Sequence, residues 1–302
     1  MLRVGILEII PRLTMCAARA MAMRAAAMAI AIAIANPCAA QDLSFPPEHH
    51  PWGRFPAASW KRVRVVSETL DEKGTVANVT ITDVKTTLIA ADQASYTLQS
   101  ESVIEIAGKR LSTPPETVKH GYYGEAAGQT VTVKKQGEGQ MTVNGLTIPY
   151  ELRQAVISGS DKSKRISTIF YSDQTPPYHL RRETIVEGGD DQRTGSTVEV
   201  VALALPYKVM NELRSADFIK TTQKLPQGTK TTLEVHCQDV PGGVVAHSAS
   251  EVDLAGNVVR RSALELIDYD IGTAEDPPLN PRRRLFPRIR ARQQKAEQRG
   301  GP

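Results

Sequence analysis

One stretch constrains the fold more than any other, because it occurs twice. Residues 230–270 read KTTLEVHCQDVPGGVVAHSASEVDLAGNVVRRSALELIDYD, and a related text, RISTIFYSDQTPPYHLRRETIVEGGDDQRTGSTVEVVALALPY, occupies 165–207. Setting Pro177 on Pro241 places Leu180 on Val244, Thr184 on Ser248 and Glu187 on Glu251, with Asp173 within two residues of Asp239. Each copy reads as strand, proline turn, strand, glycine turn, strand. A repeated hairpin unit has to bury its face against its neighbours, so it predicts an antiparallel meander. A long meander twists and curls rather than staying flat, which predicts an all-β curved sheet or half-barrel with little helix.

The remaining strand signals agree. WKRVRVVSETL and TVANVTITDVKTTLIA are rich in Val, Thr and Ile and flank the turn Asp71 to Gly74, whose glycine supplies the positive φ a hairpin needs. DEKG at Gly74 matches DLAG at Gly256, each followed by a β-branched run, and GGDDQRTG ending at Gly195 is a looser third case. From Tyr96 to Ile106 the text alternates: Tyr96, Leu98, Ile104 and Ile106 share a face, interrupted by Ser100 and Ser102, and the other face is polar. TVTVKK and QMTV read as strands, Asn144-Gly145 marks a hairpin before LTIPYELRQAVI, and a further hairpin turns near Gly228. Lys109 to Gly128 has no period and reads as a long connection that exposes Tyr122 and Tyr123. Tyr207 to Ala216 is the one helix candidate of any size.

Residues 1–40 read as a secretory signal, with scattered arginines, an apolar run from Ala25 to Ala35 and small residues up to Ala40. That run is too short to cross a bilayer, so the mature protein is expected to have no transmembrane span. Export to the periplasm or beyond is expected. Lipidation of Cys38 is disfavoured, because Ala35, Asn36 and Pro37 do not form a lipoprotein signal. The whole chain has 37 Lys and Arg against 33 Asp and Glu; removing Arg3, Arg12, Arg19, Arg24 and Glu8 leaves 33 against 32. Specific nucleic-acid binding is therefore not expected of the body. Only Cys237 remains, and one thiol cannot close an intrachain disulfide.

The ends differ in character from the body. Residues 41–59 are rich in proline and aromatics (FPPEHHPWGRFPAASW) and predict an extended segment capping one end of the sheet. Residues 60–270 form the β domain. Residues 271–302 are a basic tail with too few apolar side chains to fold alone, and Arg282, Arg283, Arg284, Arg288, Arg290 and Arg292 are its candidate contacts with an anionic envelope surface.

The text holds no GxSxG, HExxH, CxxC, P-loop or dinucleotide fingerprint, so nothing in it calls for a metal or cofactor, and no catalytic residue is assigned. His49 and His50 beside Glu48 are read as packing, because three adjacent side chains rarely converge on one ion. His236 and Cys237 are expected on opposite faces of a strand, unable to share a site. Candidate ligand contacts are Tyr96, Leu98, Ile104, Tyr122 and Tyr123, for a lipid or other hydrophobic small molecule.

HPWGRF…SW, NGLTIPYEL, SDQTPPYHLRRET and DVPGGVVAHSASEVD together resemble a family of exported bacterial proteins of uncharacterised role, over most of residues 49–270. The order of strands and proline turns is similar, more distantly, to the lipoprotein carriers LolA and LolB. That resemblance implies a curved half-barrel with an apolar concave face under a helical lid; this chain departs from it in lacking helix for the lid. A non-catalytic envelope protein is the reading that follows. An interaction module using sheet edges and the tail, and a hydrolase with its site under residues 109–128, are the alternatives.

Overall fold

The computed structural model describes residues 43–159, 163–187 and 194–273. The signal segment, Cys38 and the arginines of the tail lie outside these. Described in chain order are β1 (Trp60–Leu70), β2 (Val76–Ala91), β3 (Ser95–Ile106), β4 (Lys109–Ser112), β5 (Glu116–Gly121), β6 (Thr130–Val143), β7 (Leu146–Ser158), β8 (Lys164–Tyr171), β9 (His179–Glu187), β10 (Thr194–Val209), β11 (Glu212–Leu225), β12 (Gly228–His236), β13 (Val244–Asp253) and β14 (Val258–Asp270). The only helical element among the described residues is a single 3-10 turn, Pro47–His49.

All the strands belong to one antiparallel sheet with the order β4-β3-β2-β1-β14-β13-β12-β11-β10-β9-β8-β7-β6, and β5 also pairs with β3. The fold is all-β, curved and not closed into a barrel. Chain neighbours are sheet neighbours except at β5, which pairs with β3 rather than with β4 or β6, and at β1, which pairs with β14 across the length of the sequence, Val65 facing Leu264 and Ser67 facing Ser262. In consequence β5 and β6, which follow one another in the chain, stand at opposite ends of the sheet. Residues 122–129 join them and can span at most about 30 Å, which forces the two ends toward each other. Tyr122 lies 5.7 Å from Tyr96 of β3, and the carbonyl of Tyr123 accepts from Arg182 Nη2 of β9 at 3.1 Å. One short loop thus touches the same face of strands far apart in the sheet, and that face is the concave one.

Residues 165–207 and 230–270 contribute to β8-β9-β10 and β12-β13-β14, each a set of consecutive antiparallel strands with its proline turn at the same end of the sheet. The DEKG and DLAG turns also correspond in detail. Asp71 Oδ1 accepts from Lys73 N and Thr75 N at 2.9 and 2.8 Å, and Asp253 Oδ1 from Ala255 N and Asn257 N at 2.9 and 2.8 Å. This carboxylate-to-backbone bonding fixes a turn locally, which is why the same four-residue pattern gives the same geometry twice.

Three expectations need correction. Lys109 to Gly128 is not an unstructured connection: Pro114 and Pro115 divide it into β4 and β5, which both pair with β3, β4 near Ile104 and β5 near Leu98. TVTVKK and QMTV are parts of one strand, β6, which continues through a bulge between Lys135 and Gly137. Tyr207 to Ala216 is not a helix but the tip of the β10-β11 hairpin, where Met210 takes φ 56° and Val209 pairs with Glu212. Leu213, the apolar residue that completes a helical stripe in the text, is 78 % exposed there.

The core is distributed. Phe45, Tyr122, Tyr123, Ala155, Ile157, Ile169 and Tyr171 form one cluster, Val143, Ile148, Leu180, Val200, Leu203 and Ile219 a second, and Val209, Ala216, Val235, Cys237, Val240 and Val245 a third. Leu88, Ile169 and Leu180 are fully buried, each worth about 1.5–3 kcal/mol of transfer free energy.

Candidate functional site

The pairing registers carry one face across the sheet. In a row from β3 to β10 the concave side chains are Ile104, Thr82, Val65, Leu264, His247, Glu234, Ile219 and Val200. A parallel row from β2 to β10 reads Thr80, Ser67, Ser262, Ala249, Thr232, Thr221 and Val198. Aliphatic and hydroxyl side chains dominate both. On β14 the contrast between faces is plain: Ser262 and Leu264 on the concave side are half-buried, and Arg261, Ala263 and Glu265 on the other side are exposed.

One end of this face is covered by residues 43–59, which run as a strap from β8 to β1. Phe45 is 3 % exposed, its ring 4.6 Å from His179 and 5.7 Å from Tyr171. His49 stacks on Tyr178 at 3.8 Å, and its Nδ1 is 2.6 Å from the Tyr171 hydroxyl. Arg54 donates to Gln238 Oε1 at 2.8 Å and to the carbonyl of Glu48, and the carbonyl of Pro51 accepts from Gly242 N at 2.9 Å. Trp52 lies directly on Gly242, where a Cβ would stand 2.5 Å from the indole. The strap therefore holds the proline turns after β8 and β12 simultaneously. It ends at Ser59, whose hydroxyl accepts from Gly272 N at 3.0 Å.

Below Trp52 the concave face is charged. Lys61 Nζ donates to the carbonyls of Gly242 and Val244 at 3.3 and 3.1 Å; burial lowers its pKa to about 8, with Glu234 opposing. Burial works against the charge of Glu234, but a 2.8 Å bond to His236 Nε2 and the nearby His247 and Lys61 outweigh it and hold the carboxyl below its usual range. Burial raises the pKa of Asp217, although its Oδ1 accepts from Ala204 N at 3.0 Å. A cavity of about 30 Å³, room for one water, lies between the strap and the two proline turns.

His236 and Cys237 both line that cavity, against the expectation that they face apart. The strand ends at His236 after a bulge at Val235, and Cys237 already belongs to the turn, so alternation no longer applies. Cys237 is 1 % exposed in the third core cluster, and burial pushes its thiol pKa up, which leaves little nucleophilic thiolate.

Of the candidate ligand residues, Leu98 and Ile104 lie half-buried on the concave face. Tyr96 stands at the strap end, 4.4 Å from the His50 ring, its hydroxyl pKa raised by burial to about 12. Tyr122 and Tyr123 are each 5 % exposed rather than open to solvent. Their hydroxyls donate to the carbonyls of Asp92 and Leu43, so the polar tips are satisfied inside the core. The strap's grip on both turns, the buried Arg153 and the half-buried Arg182 and His179 were missed from sequence; the Arg181-Arg182 pair was the one signal, since strand alternation turns one guanidinium inward.

No family model and no curated protein matches this chain. Two crystal structures resemble it at low similarity. One, from Bacteroides fragilis, is named as an exported protein with YmcC-like fold: 10 % identity over 71 % of this chain and 98 % of that one, TM-score 0.30. The other, from Parabacteroides distasonis, is named as a lipoprotein: 9 % identity over 72 % and 97 %, TM-score 0.27. Among the described residues no helix is long and apolar enough to cross a membrane.

Proposed function

We propose that this is an exported, non-catalytic protein of the cell envelope that holds an apolar, acyl-chain-like ligand along its concave face, with the strap closing one end. The observation that carries the reading is the pair of rows from β2 and β3 to β10, where aliphatic and hydroxyl side chains form a half-buried trough on a single sheet layer. Concave, mostly apolar surfaces with a few placed polar groups are the usual form of small-molecule sites. Leu98 and Ile104 line the ligand's path. Tyr96, Tyr122 and Tyr123 form the filled end against which it stops. Export rests on the signal-like residues 1–40, and Arg282, Arg283, Arg284, Arg288, Arg290 and Arg292 bring the protein to an anionic surface.

Titration of delipidated protein with a fluorescent fatty acid tests this. Saturable uptake is expected, weakened at least tenfold by Ile104→Asp or Val65→Asp, because either carboxylate would sit unpaired in the trough, Val65 facing only Thr82 and Leu264 across the ladder. A linear, non-saturable response, or saturable uptake unchanged in both variants, overturns the reading.

A further inference from the structure

The second row of the trough does not end at Val198. The β9-β10 register carries it to Arg182, the β8-β9 register to Ile169 and the β7-β8 register to Arg153, all on the face that Thr221 and Thr232 share. Along this row the cover changes at Arg182. Ile169, which packs with Tyr123, is fully buried, and so is Ser167, whereas Val198, Thr221, Thr184 and Ser196 are half-buried. Arg182 is itself half-buried, so its guanidinium stands where the cover of the loop stops and the open row begins.

Among the described residues no carboxylate pairs with that guanidinium. Its Nε and Nη2 donate to Ser167 Oγ at 3.3 and 3.1 Å, and Nη2 also donates to the carbonyl of Tyr123 at 3.1 Å, so its partners are neutral oxygens. Arg165, two residues before Ser167 and on the same face of β8, donates through Nη2 to the carbonyl of Gly124, and its Nε is buried without a partner. Burial lowers the Arg182 pKa to about 10, and the charge of Arg165 adds to the effect; Glu125, which opposes it, accepts from Tyr123 N at 3.1 Å. Other cations of this face have an acid beside them. Arg153 Nε bonds Glu151 Oε1 at 2.6 Å, Lys61 has Glu234 in its field, and Glu251 stands in the ladder between Lys230 and Arg260.

A desolvated charge without a counter-charge is costly to keep. Two guanidiniums side by side favour an anion, because the planar fork matches the oxygens of a carboxylate or phosphate. Thr184 and Ser196, which face each other across β9 and β10, add hydroxyl donors next to them. A neutral or cationic head would leave the arginines unanswered. We infer that the ligand of the trough is an anionic amphiphile, its carboxylate or phosphate head held by Arg182 and Arg165 with Thr184 and Ser196, and its chain laid along the row that begins at Val198. This rests on the trough reading above and fixes which way round the ligand lies. From β9 to β14 the row crosses five strand steps, about 24 Å along the surface, which is room for a long acyl chain.

The test is calorimetric titration of the delipidated mature chain with laurate, dodecyl phosphate, dodecanol and inorganic phosphate. Laurate and dodecyl phosphate are expected to bind at least tenfold more tightly than dodecanol. Arg182→Gln is expected to erase that preference and leave the affinity for dodecanol in place, and Arg182→Lys to keep most of it. Because Arg182 is bonded to Ser167 and Tyr123, Arg165→Gln serves beside it near the start of β8, with an expected three- to tenfold loss for the two anions and an unchanged melting temperature. Equal affinities for laurate, dodecyl phosphate and dodecanol overturn the inference and leave the trough standing, as does a preference that survives in both Arg182→Gln and Arg165→Gln. Inorganic phosphate that binds as tightly as dodecyl phosphate would assign the arginines to a free anion and overturn the amphiphile. Absence of saturable binding by every chain overturns the trough and this inference together.

Discussion

His50 Nδ1 accepts the backbone N–H of Trp52 at 3.2 Å, so that nitrogen carries no proton in the folded protein. Burial, with His120 and Arg54 nearby, lowers the His50 pKa to about 4, and burial lowers that of His179 to about 3. Both folded values lie below the ordinary 6.5, so between those values and 6.5 the unfolded chain binds protons that the folded chain does not. Stability is therefore present above pH 6.5 and is lost as pH falls toward 4, by on the order of 3 kcal/mol for His50 alone. We expect the melting temperature to fall steadily from pH 7 to pH 4, and His50→Gln to flatten that slope. A pH-independent melting temperature across this range would show that the strap's histidines titrate freely. Lys61 has the same sign in another window: its pKa of about 8 lies below the ordinary 10.5, so its contribution to stability increases from pH 8 to 10.5. None of this could be read from EHHPW in the text. Two adjacent histidines look alike there, and only the stacking of His49 on Tyr178 and the inward turn of His50 toward Tyr96 give them different surroundings.

At the scale of elements, local chemistry and long-range pairing had different legibility. The DEKG and DLAG turns, the Asn144-Gly145 hairpin with φ of 38° and 86°, and the alternation of β3 were legible because each is fixed by a few consecutive residues. β4, β5 and the β10-β11 tip were not, because their short or mixed runs become strands only by pairing with a neighbour already in place. The strap shows the same division: its extended character follows from its prolines, but its grip on Gly242 and Gln238 depends on residues more than 180 positions away. Trp52→Ala removes a nearly buried indole from Gly242 and is expected to destabilise by about 3–5 kcal/mol, measured by denaturant unfolding. A loss below 1 kcal/mol would mean that the strap is dispensable to the sheet. The candidate trough was half-legible: one strand's face could be read off Tyr96, Leu98 and Ile104, but which strands extend it required the β1-β14 pairing.

For the molecule as a whole, that pairing makes the described fold complete at Asp270. A chain ending after Thr273 is expected to keep the melting temperature of the mature protein within a degree or two and to lose only adsorption to anionic vesicles. A large drop in melting temperature would instead assign the tail to the fold. A chain beginning at Trp60 keeps every strand but loses the strap and is expected to melt well below it. The meander and its curvature were legible from the succession of strand and turn signals, since so long a meander twists and curls; the bridge was not, because nothing in the text places β5 and β6 at opposite ends of the sheet for residues 122–129 to join.

The β1-β14 seam also sets how the molecule responds to being pulled. Trp60 faces Asp270 at one end of that pair, with Ser59 and Gly272 bonded just beyond. Once the strap has been pulled off the proline turns, tension between residues 43 and 273 enters at this point and runs across the hydrogen bonds, so it loads them one after another, as in a zipper, rather than all together in shear. Held at both ends between two layers of an envelope, such a protein would part along β1 and β14 under modest force. The trough would open lengthwise at Val65 and Leu264, in the middle of the surface proposed to hold its cargo.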